Sequence, residues 1–358
     1  MNLNSFQTSG SSPTACRVGL LGYGTAGTAI ARRLTSQHDR SSLQLTHICD
    51  RRARDKQARE SGAVASLAWT DRFDDLITSD TDIIIEAVSG AEPAADYVRG
   101  APLAGKSVVT VNKQVIVHHG LALLQLAERQ GRQLRFEAAV GGAMPIVRLL
   151  GEGLAGERIE RVDAILSGTA NAVLSQMEDT GCAMDEAIAD ACARGYADLD
   201  PSADLDGFDA AAKIAILCGV AFGLKVAVDD VDVRSAARLG PDVFDRAQQS
   251  GGTIRQIASA EFDRDRKSLA VWVAPVLVPR SSWFARVAGP FNAAIITGRH
   301  AGPLMLSGAG AGADATAVAV ISDLMTIARD RAAIVPAPTH TTPQQISGLT
   351  DYKLAEAV

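Results

Sequence analysis

Residues 16–27, CRVGLLGYGTAG, decide the fold of the N-terminal half of this 358-residue chain. The first six are mostly apolar and predict a buried strand, and residues 22–27 form a G-x-G-x-x-G loop that opens a helix. In such a loop the first glycine permits a tight turn, the second lets the backbone approach a pyrophosphate, and the third lets helix pack on strand. Free N–H groups at the helix start can then bind phosphates. The stretch predicts a dinucleotide site, with a purely structural turn as the alternative.

The choice between NAD and NADP depends on the end of the second predicted strand. Asp50 lies there, where an acidic side chain can accept hydrogen bonds from the ribose hydroxyls of NAD. Arg51 and Arg52 follow and could instead hold the extra phosphate of NADP, or lie in a solvated loop. Because a carboxylate would repel that phosphate, the sequence favours NAD.

Strands and helices alternate along the N-terminal half, which indicates a parallel sheet with helices on both faces. Beyond about residue 145 the pattern indicates a second region of α+β type. We therefore expect an α/β protein, with an N-terminal Rossmann domain and a second α+β domain. The predicted strands cover residues 16–21, 43–49, 81–88, 107–111, 134–140, 159–166, 269–278, 293–297 and 303–307. The main predicted helices cover residues 27–35, 121–129, 169–179, 183–194, 209–222 and 314–330.

Composition excludes several classes of protein. Lys plus Arg number 35 and Asp plus Glu 41, for a net charge of −6, which argues against a nucleic-acid partner. Five cysteines without a C-x-x-C pair argue against a disulfide framework and fit the reducing cytoplasm. No apolar run reaches the ~20 residues of a membrane span. We expect a cytoplasmic protein that acts on a small molecule.

Residues 210–224, AAAKIAILCGVAFGL, contain Lys213 as their only charged side chain. A helix that is apolar on nearly all sides is buried, and a buried ammonium needs a partner or loses its proton. Asp209 lies four residues earlier, on the same helical face. The pair is either a catalytic lysine with its carboxylate or an ordinary salt bridge at a helix start.

A second group of charged residues surrounds this helix in the sequence. Five carboxylates fall within residues 198–209, which predicts a pocket for an ammonium group, or a plain acidic surface loop. A calcium loop is disfavoured because the full twelve-residue pattern is missing. Lys113 follows a strand at the carboxyl edge of the predicted sheet, where ligands dock in open α/β folds, or lies on the surface.

These motifs together resemble the homoserine dehydrogenase family over about residues 16–335. Seven segments carry the resemblance in order, which is far more specific than any one of them. They are the loop at 22–27, VTVNK at 109–113, EAAVGGAMP at 137–145, LSGTAN at 166–171, GYADLDP at 195–201, DLDGFD at 204–209 with Lys213, and GAGAGADAT at 308–316.

The resemblance implies a reaction and roles for residues. The family interconverts L-aspartate 4-semialdehyde and L-homoserine with NAD(P)H. Lys213 would pass a proton to the aldehyde oxygen or remove it in reverse, Asp209 would orient Lys213, and Lys113 would join it near that oxygen. The substrate-binding residues would be Asp198, which holds the amino group, together with Asp204, Gly168 and Thr169.

Two further sets of residues follow. We expect NAD or NADP to be bound by Gly22, Gly24, Thr25, Ala26, Gly27, Asp50, Arg51, Lys113 and Gly310. The family also holds a monovalent cation, Na⁺ or K⁺, and the matching positions are Glu137, Val140, Gly142 and Met144. The alternative for Glu137 is a hydrogen bond to the loop backbone.

Four positions depart from the family pattern. Asp198 stands for a Glu, Ser167 for an Asn, Ala172 for an aromatic residue, and Val111 for a smaller residue. Three alternatives therefore stay open: homoserine dehydrogenase itself, a paralogue acting on another small amino-aldehyde or amino-alcohol, or a catalytically silent NAD-binding regulatory protein. Both lysines and Asp209 argue against the last.

The resemblance also implies an organisation of the chain. We expect a disordered tail over residues 1–15, a dinucleotide-binding domain over 16–145, and a substrate-binding, catalytic and dimerisation domain over 146–309. A helix within 310–335 would pack back on the first domain, and 336–358 would be a C-terminal tail. We expect a homodimer of the short form, without a regulatory ACT domain or threonine feedback.

Overall fold

The structure, a computed structural model, describes residues 15–36, 42–330, 340–349 and 352–354. The tail predicted over residues 1–15 lies outside the described residues except for its last residue. Two sheets follow one another along the described chain, the first entirely parallel and the second mixed.

The first sheet contains the glycine loop. Its strands are β1 (Cys16–Leu21), β2 (Leu43–Cys49), β3 (Ala68–Thr70), β4 (Ile83–Glu86), β5 (Ser107–Thr110) and β6 (Leu134–Arg135). The helices around it are α1 (Thr25–Ser36), α2 (Ala53–Gln57), α3 (Gly62–Ala65), α4 (Phe73–Thr78), α5 (Ala94–Leu103) and α6 (Lys113–Arg129). The strand order β3-β2-β1-β4-β5-β6, with every pair parallel, confirms the predicted Rossmann fold.

The strand order places the ligand crevice. The chain moves outward from β1 to β2 and β3, then returns to build β4 to β6 on the other side. The carboxyl ends of β1 and β4 therefore border the crevice in which open α/β sheets bind their ligands. The glycine loop follows β1 and lies at this crevice.

The second region builds a mixed sheet covered by helices, which confirms the predicted α+β class. Its strands are β7 (Ile159–Ile165), β8 (Asp232–Val233), β9 (Gly252–Asp263), β10 (Ser268–Pro279), β11 (Phe291–Gly298), β12 (Gly302–Ala309) and β13 (Gln345–Ser347). Its helices are α7 (Ile146–Arg148), α8 (Gly168–Thr180), α9 (Met184–Ala193), α10 (Ser202–Leu205), α11 (Phe208–Phe222), α12 (Asp242–Gln249) and α13 (Ala313–Arg329). The sheet has the order β12-β11-β7-β9-β10-β13, with β8 beside β10.

Helix α11 joins the two regions. It is apolar around its circumference because it packs against α6 of the first region and against β9 of the second. One continuous hydrophobic cluster includes Leu123 of α6, Ile214 of α11 and Ala258 of β9. The N-terminal turns of α11 carry Asp209 and Lys213, so burial of this helix brings both residues toward the end of β5.

Helix α13 returns to the first region. Its residues Val320 and Leu324 are fully buried in one cluster with Val18 of β1 and Ile30 of α1. The loop that precedes α13 is therefore anchored at both ends, by β12 in the second sheet and by α13 on the first.

The C-terminal segment differs from the predicted tail over 336–358. Residues 336–339, 350–351 and 355–358 of it lie outside the described residues, but Gln345–Ser347 add strand β13 to the edge of β10. The Tyr352 ring packs edge-on against Trp272 at 5.4 Å. The sequence did not predict this strand, because it is short and its segment is polar. The few apolar side chains of the segment pack on a sheet that forms only in the folded protein.

Within the described ranges, no helix combines the length and the hydropathy needed to cross a membrane. The five cysteines are free thiols, of which Cys16, Cys49 and Cys218 are buried. The same ranges contain no cluster of three His, Cys, Asp or Glu side chains able to hold a metal ion.

Candidate active site

The glycine loop has the shape that a pyrophosphate requires. Gly22 has φ +95°, and a Cβ there would lie 2.4 Å from the Ala87 carbonyl oxygen. A Cβ on Gly27 would lie 2.0 Å from the Gly22 carbonyl oxygen, whereas one on Gly24 would meet no atom within 4 Å. The loop is therefore closed on its inner side and open at Gly24. Thr25 and Ala26 begin α1, whose first N–H groups have no partner within the helix.

Asp50 follows β2, as the sequence predicts, but its carboxylate is already engaged. It accepts hydrogen bonds from the amides of Tyr23 and Arg52, each at 2.9 Å, and Lys56 Nζ lies 2.5 Å from Oδ2. Burial opposes the charge of Asp50, but the bonds from Lys56 and the amides lower the pKa of this carboxyl below its usual value. Arg51 is exposed. Lys56 therefore offsets the negative charge that made the sequence favour NAD.

Lys113 is the first residue of α6, which starts eight residues earlier than the helix predicted at 121–129. Asn112 caps this helix by accepting from the amides of Gln114 and Val115 at 3.0 and 3.2 Å. The same side chain donates to the carbonyls of Val88 and Gly90. Asn112 thereby fixes the loop after β4 and the start of α6 together.

One carboxylate holds both lysines. Asp209 Oδ2 lies 2.7 Å from Lys213 Nζ and its Oδ1 lies 2.8 Å from Lys113 Nζ. Lys213 Nζ also donates to the Leu166 carbonyl at 2.8 Å. The side chains of Asp209 and Lys213 are only 10% and 13% exposed, whereas that of Lys113 is 36% exposed, so the cluster opens to solvent on the Lys113 side.

The cluster sets the charge states of its members. Burial opposes ionisation of Asp209, but the two lysines outweigh it and lower the pKa of this carboxyl below its usual value. Burial likewise opposes the charge of Lys113, but Asp209 raises the pKa of Lys113. Both groups are therefore charged at neutral pH.

Asp204 lies beside this cluster and next to the start of α8. Its Oδ1 accepts a hydrogen bond from Ser167 Oγ at 2.7 Å, and Ser167 also caps α8 by accepting from the Ala170 amide. Burial and the like charge of Asp209 raise the pKa of Asp204. Gln256 holds the loop from behind by donating to the Asp204 and Leu205 carbonyls at 3.0 and 3.2 Å.

The acidic segment divides into residues with different tasks. The side chain of Asp198 is exposed, and its backbone carbonyl accepts a hydrogen bond from Cys192 Sγ at 3.1 Å. Asp200 and Asp206 bond to Ser202 and Ser235 and so shape the loop. Asp198 thus lies at the rim, and the structure does not join it to the lysine cluster.

The remaining predicted glycines mark close contacts between segments. A Cβ on Gly168 would lie 2.8 Å from the Pro290 carbonyl oxygen. A Cβ on Gly142 would lie 2.6 Å from the Gly310 carbonyl oxygen, and one on Gly310 would lie 1.9 Å from Asn292 Cγ. Thr169, beside Gly168, donates its hydroxyl to the Tyr196 carbonyl at 2.8 Å. These contacts bring the loops around residues 142, 168 and 310 together.

The residues predicted to hold a cation are buried, and the Glu137 carboxylate accepts hydrogen bonds from backbone amides. Its two oxygens accept from the amides of Val147 and Arg148 at 2.9 and 2.8 Å. Burial raises the pKa of Glu137 to about 7, and that of Asp323, which accepts from the Glu137 amide, to about 6. The carbonyl oxygens of Val140, Gly142 and Met144 belong to the same turn.

Comparisons with known proteins fit this geometry. The sequence model described as "Homoserine dehydrogenase" matches residues 145–325, and that described as "Homoserine dehydrogenase, NAD binding domain" matches residues 22–137. The chain is 36% identical over 335 residues to the homoserine dehydrogenase of Corynebacterium glutamicum, covering 92% of this chain and 75% of that protein. The chain belongs to the homoserine dehydrogenase family.

Other members of the homoserine dehydrogenase family agree with this placement. The Bacillus subtilis homoserine dehydrogenase is 32% identical over 334 residues, covering 92% of this chain and 77% of that protein. A crystal structure of a homoserine dehydrogenase from Thiobacillus denitrificans matches with a TM-score of 0.85 and 30% identity, covering 93% of this chain and 80% of that chain. The predicted family, fold and activity are confirmed.

The family fixes the activity. The chain is a homoserine dehydrogenase, an NAD(P)-dependent oxidoreductase that acts on a CH–OH group in the aspartate pathway of amino-acid biosynthesis. Its N-terminal region is an NAD(P)-binding domain, and the family acts on a small amino-acid substrate.

Sequence reasoning missed several residues of this homoserine dehydrogenase site. Lys56 carries no motif, and only its position six residues after Asp50, within a short helix, could have indicated it. Asn112 precedes a helix and fits the pattern of an N-cap, so its role was readable. Asn292 lies in a plain strand, and only the fold brings it to the site.

Proposed function

We propose that Lys213 is the acid and base of the reaction, with Asp209 and Lys113 as its partners. The observation that carries this proposal is the buried carboxylate of Asp209 held between two ammonium groups, at the place where the NAD(P)-binding region meets the second region. Buried ionisable groups that share specific charge partners in a cleft are candidates for functional residues.

The hydrogen bonds of Lys213 leave it ready for a substrate oxygen. An ammonium has three N–H donors, and Asp209 and the Leu166 carbonyl accept two of them. The third has no acceptor among the described residues and can donate to the aldehyde oxygen. NAD(P)H, when bound, would supply the hydride for the carbonyl carbon. Lys213 Nζ passes its proton to the oxygen. In the oxidation of homoserine, the same nitrogen receives the hydroxyl proton.

Lys113 and Asp209 support this transfer in different ways. The Lys113 ammonium adds a second positive charge near the oxygen and stabilises the alkoxide character that develops there. Asp209 fixes the direction of both ammonium groups through an ion pair to each of them. A lysine held in this way needs no further reorganisation at the moment of proton transfer.

We infer that the substrate's amino group is held on the acidic side of the site. Asp204 faces the lysine cluster, and Asp198 lies at the exposed rim, where closing of its loop on the substrate would bring its carboxylate inward. The tight contacts of Gly168 and the hydroxyl of Thr169 define the wall between them. A carboxylate is the natural partner of an α-ammonium group.

We propose that the enzyme accepts both NAD and NADP. The open surface at Gly24 and the free amides of Thr25 and Ala26 fit a pyrophosphate. Because Lys56 offsets the charge of Asp50 and Arg51 is exposed beside it, a 2′-phosphate meets positive rather than negative charge. Gly310 and Lys113 lie at the nicotinamide end of the same crevice in this proposal.

We propose that the monovalent cation, Na⁺ or K⁺, is held chiefly by the carbonyl oxygens of Val140, Gly142 and Met144. Glu137 belongs to the same turn but is not a direct ligand in this proposal, since both of its oxygens already accept from backbone amides. Carbonyl oxygens are suitable ligands for such hard cations. Activity measured with Na⁺, K⁺ and a bulky organic cation tests this assignment.

We also propose that the protein is a homodimer that forms through its second region and works in the cytoplasm. The family resemblance supports the dimer, and five free cysteines support a reducing compartment. Light scattering coupled to size exclusion measures the mass of the assembly, and a monomer at assay concentration would contradict the dimer.

Substitution of Lys213 by Ala tests the central proposal. We expect kcat to fall at least about 100-fold, because general acid–base catalysis contributes 10²–10⁴-fold, while NAD(P) binding and folding persist. Lys225→Ala is the matched control, since Lys225 is exposed and lies beyond the other end of α11. If Lys213→Ala keeps the wild-type kcat, Lys213 is not the acid and base.

A further inference from the structure

Asn292 is a buried polar residue that neither the sequence motifs nor the proposed mechanism uses. It lies in β11, opposite Gly308 of β12, and is 0% exposed. A residue buried this completely in a strand next to the candidate site is expected to be apolar, or to have both ends of its amide paired.

The nitrogen of this amide shares an acceptor with the catalytic lysine of the proposed function. Asn292 Nδ2 donates to the Leu166 carbonyl at 3.2 Å, and Lys213 Nζ donates to the same oxygen at 2.8 Å. A carbonyl oxygen has two lone pairs, so these two donors saturate it and fix its direction. Any shift of this carbonyl would turn the Lys213 ammonium and redirect its third N–H group.

The other face of the amide lies against the glycine loop that precedes α13. A Cβ on Gly310 would lie within 2.2 Å of the Cγ, Oδ1 and Nδ2 atoms of Asn292. The Gly310 backbone therefore rests directly on the amide plane. Its carbonyl oxygen in turn lies close to Gly142, so the amide supports the contact between two loops.

The amide oxygen is unused in this state. Asn292 Oδ1 is buried and has no hydrogen-bond partner among the described residues. A buried acceptor without a donor destabilises the state that contains it, and a second state in which a donor reaches it gains stability. The Gly308–Gly312 backbone is the segment packed nearest to this oxygen by way of Gly310, and it carries N–H groups.

We propose that Asn292 is a positioning residue that couples Lys213 to the glycine loop at residues 308–312: its N–H group holds the Leu166 carbonyl that directs Lys213, and its oxygen accepts an N–H group of the loop when NAD(P) binds. The inference rests on the proposed role of Lys213. It implies that binding of the cofactor and the direction of the proton donor are set by one side chain.

Three variants separate this role from a merely structural one. Asn292→Leu removes donor and acceptor while keeping the branched shape, and Asn292→Asp keeps the shape and size but removes the donor. Ser307→Ala removes a bond to the Asn292 main-chain oxygen from the opposite strand. The last is the matched control, because Ser307 reaches Asn292 without touching its amide.

The expected results are specific to a positioning role. In Asn292→Leu, kcat falls about 10- to 100-fold and the homoserine KM changes less than about threefold, because the transition state loses an aligned proton donor. NAD(P) binding, measured by titration, weakens in the same variant. In Asn292→Asp, the pH profile of kcat shifts upward, since a new carboxylate joins Asp209 and Asp204 and stabilises the ammonium form of the neighbouring lysines. Ser307→Ala stays within about twofold of wild type in all three measurements.

Two outcomes would overturn the inference. One is a wild-type kcat in Asn292→Leu, and the other is a lower melting temperature in both Asn292 variants with unchanged pH profile and NAD(P) binding. If Asn292→Leu does not fold, the isosteric Asn292→Asp variant provides the test. Gly310→Ala provides a second test, because its new Cβ would contact the same amide from the loop. A wild-type rate in Lys213→Ala would instead refute the proposed function, so the two failures are distinguishable.

Discussion

Asp209 and Lys213 lie one helical turn apart on α11, with Oδ2 of the carboxylate 2.7 Å from Nζ of the lysine. The other oxygen of the same carboxylate lies 2.8 Å from Lys113 Nζ, at the first residue of α6. One carboxylate thus joins a helix of the NAD(P)-binding region to a helix of the second region. Its removal is expected to change activity and stability together.

Asp209→Asn is expected to lower kcat by about 100-fold, because the lysine loses the group that fixes its direction. The variant should also lose about 3 kcal/mol of unfolding free energy, since a buried ion pair broken on one side leaves charge uncompensated. Steady-state kinetics and urea unfolding measure the two effects. Asp245→Asn, an exposed carboxylate on α12, should change neither. Wild-type activity in Asp209→Asn would refute its role.

The lowered pKa of Asp209 predicts how this stability depends on pH. A carboxyl whose folded pKa lies below its unfolded value contributes stability that is present above the unfolded value and is lost as the pH falls through the folded one. The difference in unfolding free energy between wild type and Asp209→Asn should therefore be constant near pH 7 and shrink below about pH 4. Urea unfolding over a pH series checks this. A difference that grows on acidification would contradict the assignment.

Ser167 offers a test of the substrate side. Ser167→Ala removes the bond to Asp204 and the cap of α8, so the pKa of Asp204 should rise further and its hold on an ammonium group should weaken. We expect the homoserine KM to rise about tenfold with a smaller change in kcat, and stability to fall by about 1 kcal/mol. Ser167→Thr keeps the hydroxyl and serves as control. An unchanged KM in the alanine variant would exclude this part of the site.

Lys56 should decide how the enzyme treats NADP. In Lys56→Met the carboxylate of Asp50 loses its positive partner and repels a 2′-phosphate, so the KM for NADP should rise at least about tenfold relative to that for NAD. The ratio of kcat/KM for the two cofactors measures the effect. Lys225→Met, an exposed lysine elsewhere, is the control. An unchanged ratio of kcat/KM would show that Lys56 does not influence the choice between NAD and NADP.

The sequence predicted what depends on local pattern. The strand, glycine loop and helix at residues 16–36 follow from alternating apolar and glycine positions, and Lys213 stood out because it interrupts an apolar helix. Asp209 could be paired with it from helical spacing alone. That Lys113 shares the same carboxylate could not be predicted, because the two residues are brought together only by the packing of α6 on α11.

The features that the sequence did not predict have physical reasons of the same kind. The helix predicted from residue 121 begins at Lys113, because the Asn112 cap starts it before its apolar pattern becomes clear. The sequence predicts that Asp50 accepts hydrogen bonds from the ribose hydroxyls, whereas α2 folds back and places Lys56 on its carboxylate. No local sequence pattern marks Asn292, because its role depends on contacts with Leu166 and Gly310. Both residues are distant from Asn292 along the chain, and only the fold brings them together.

The glycine loop itself separates folding from cofactor binding in two neighbouring positions. In Gly27→Ala the new Cβ would lie 2.0 Å from the Gly22 carbonyl oxygen, so α1 must move and unfolding should occur at lower urea concentration. In Gly24→Ala the new Cβ meets no protein atom within 4 Å, so stability should be kept while NAD(P) affinity falls at least about tenfold, because the methyl group occupies the place of the pyrophosphate. Gly156→Ala, in an exposed turn with open space around it, is the control for both. Urea unfolding and fluorescence titration with NAD(P)H measure the two effects, and a Gly24→Ala protein with unchanged affinity would place the pyrophosphate elsewhere.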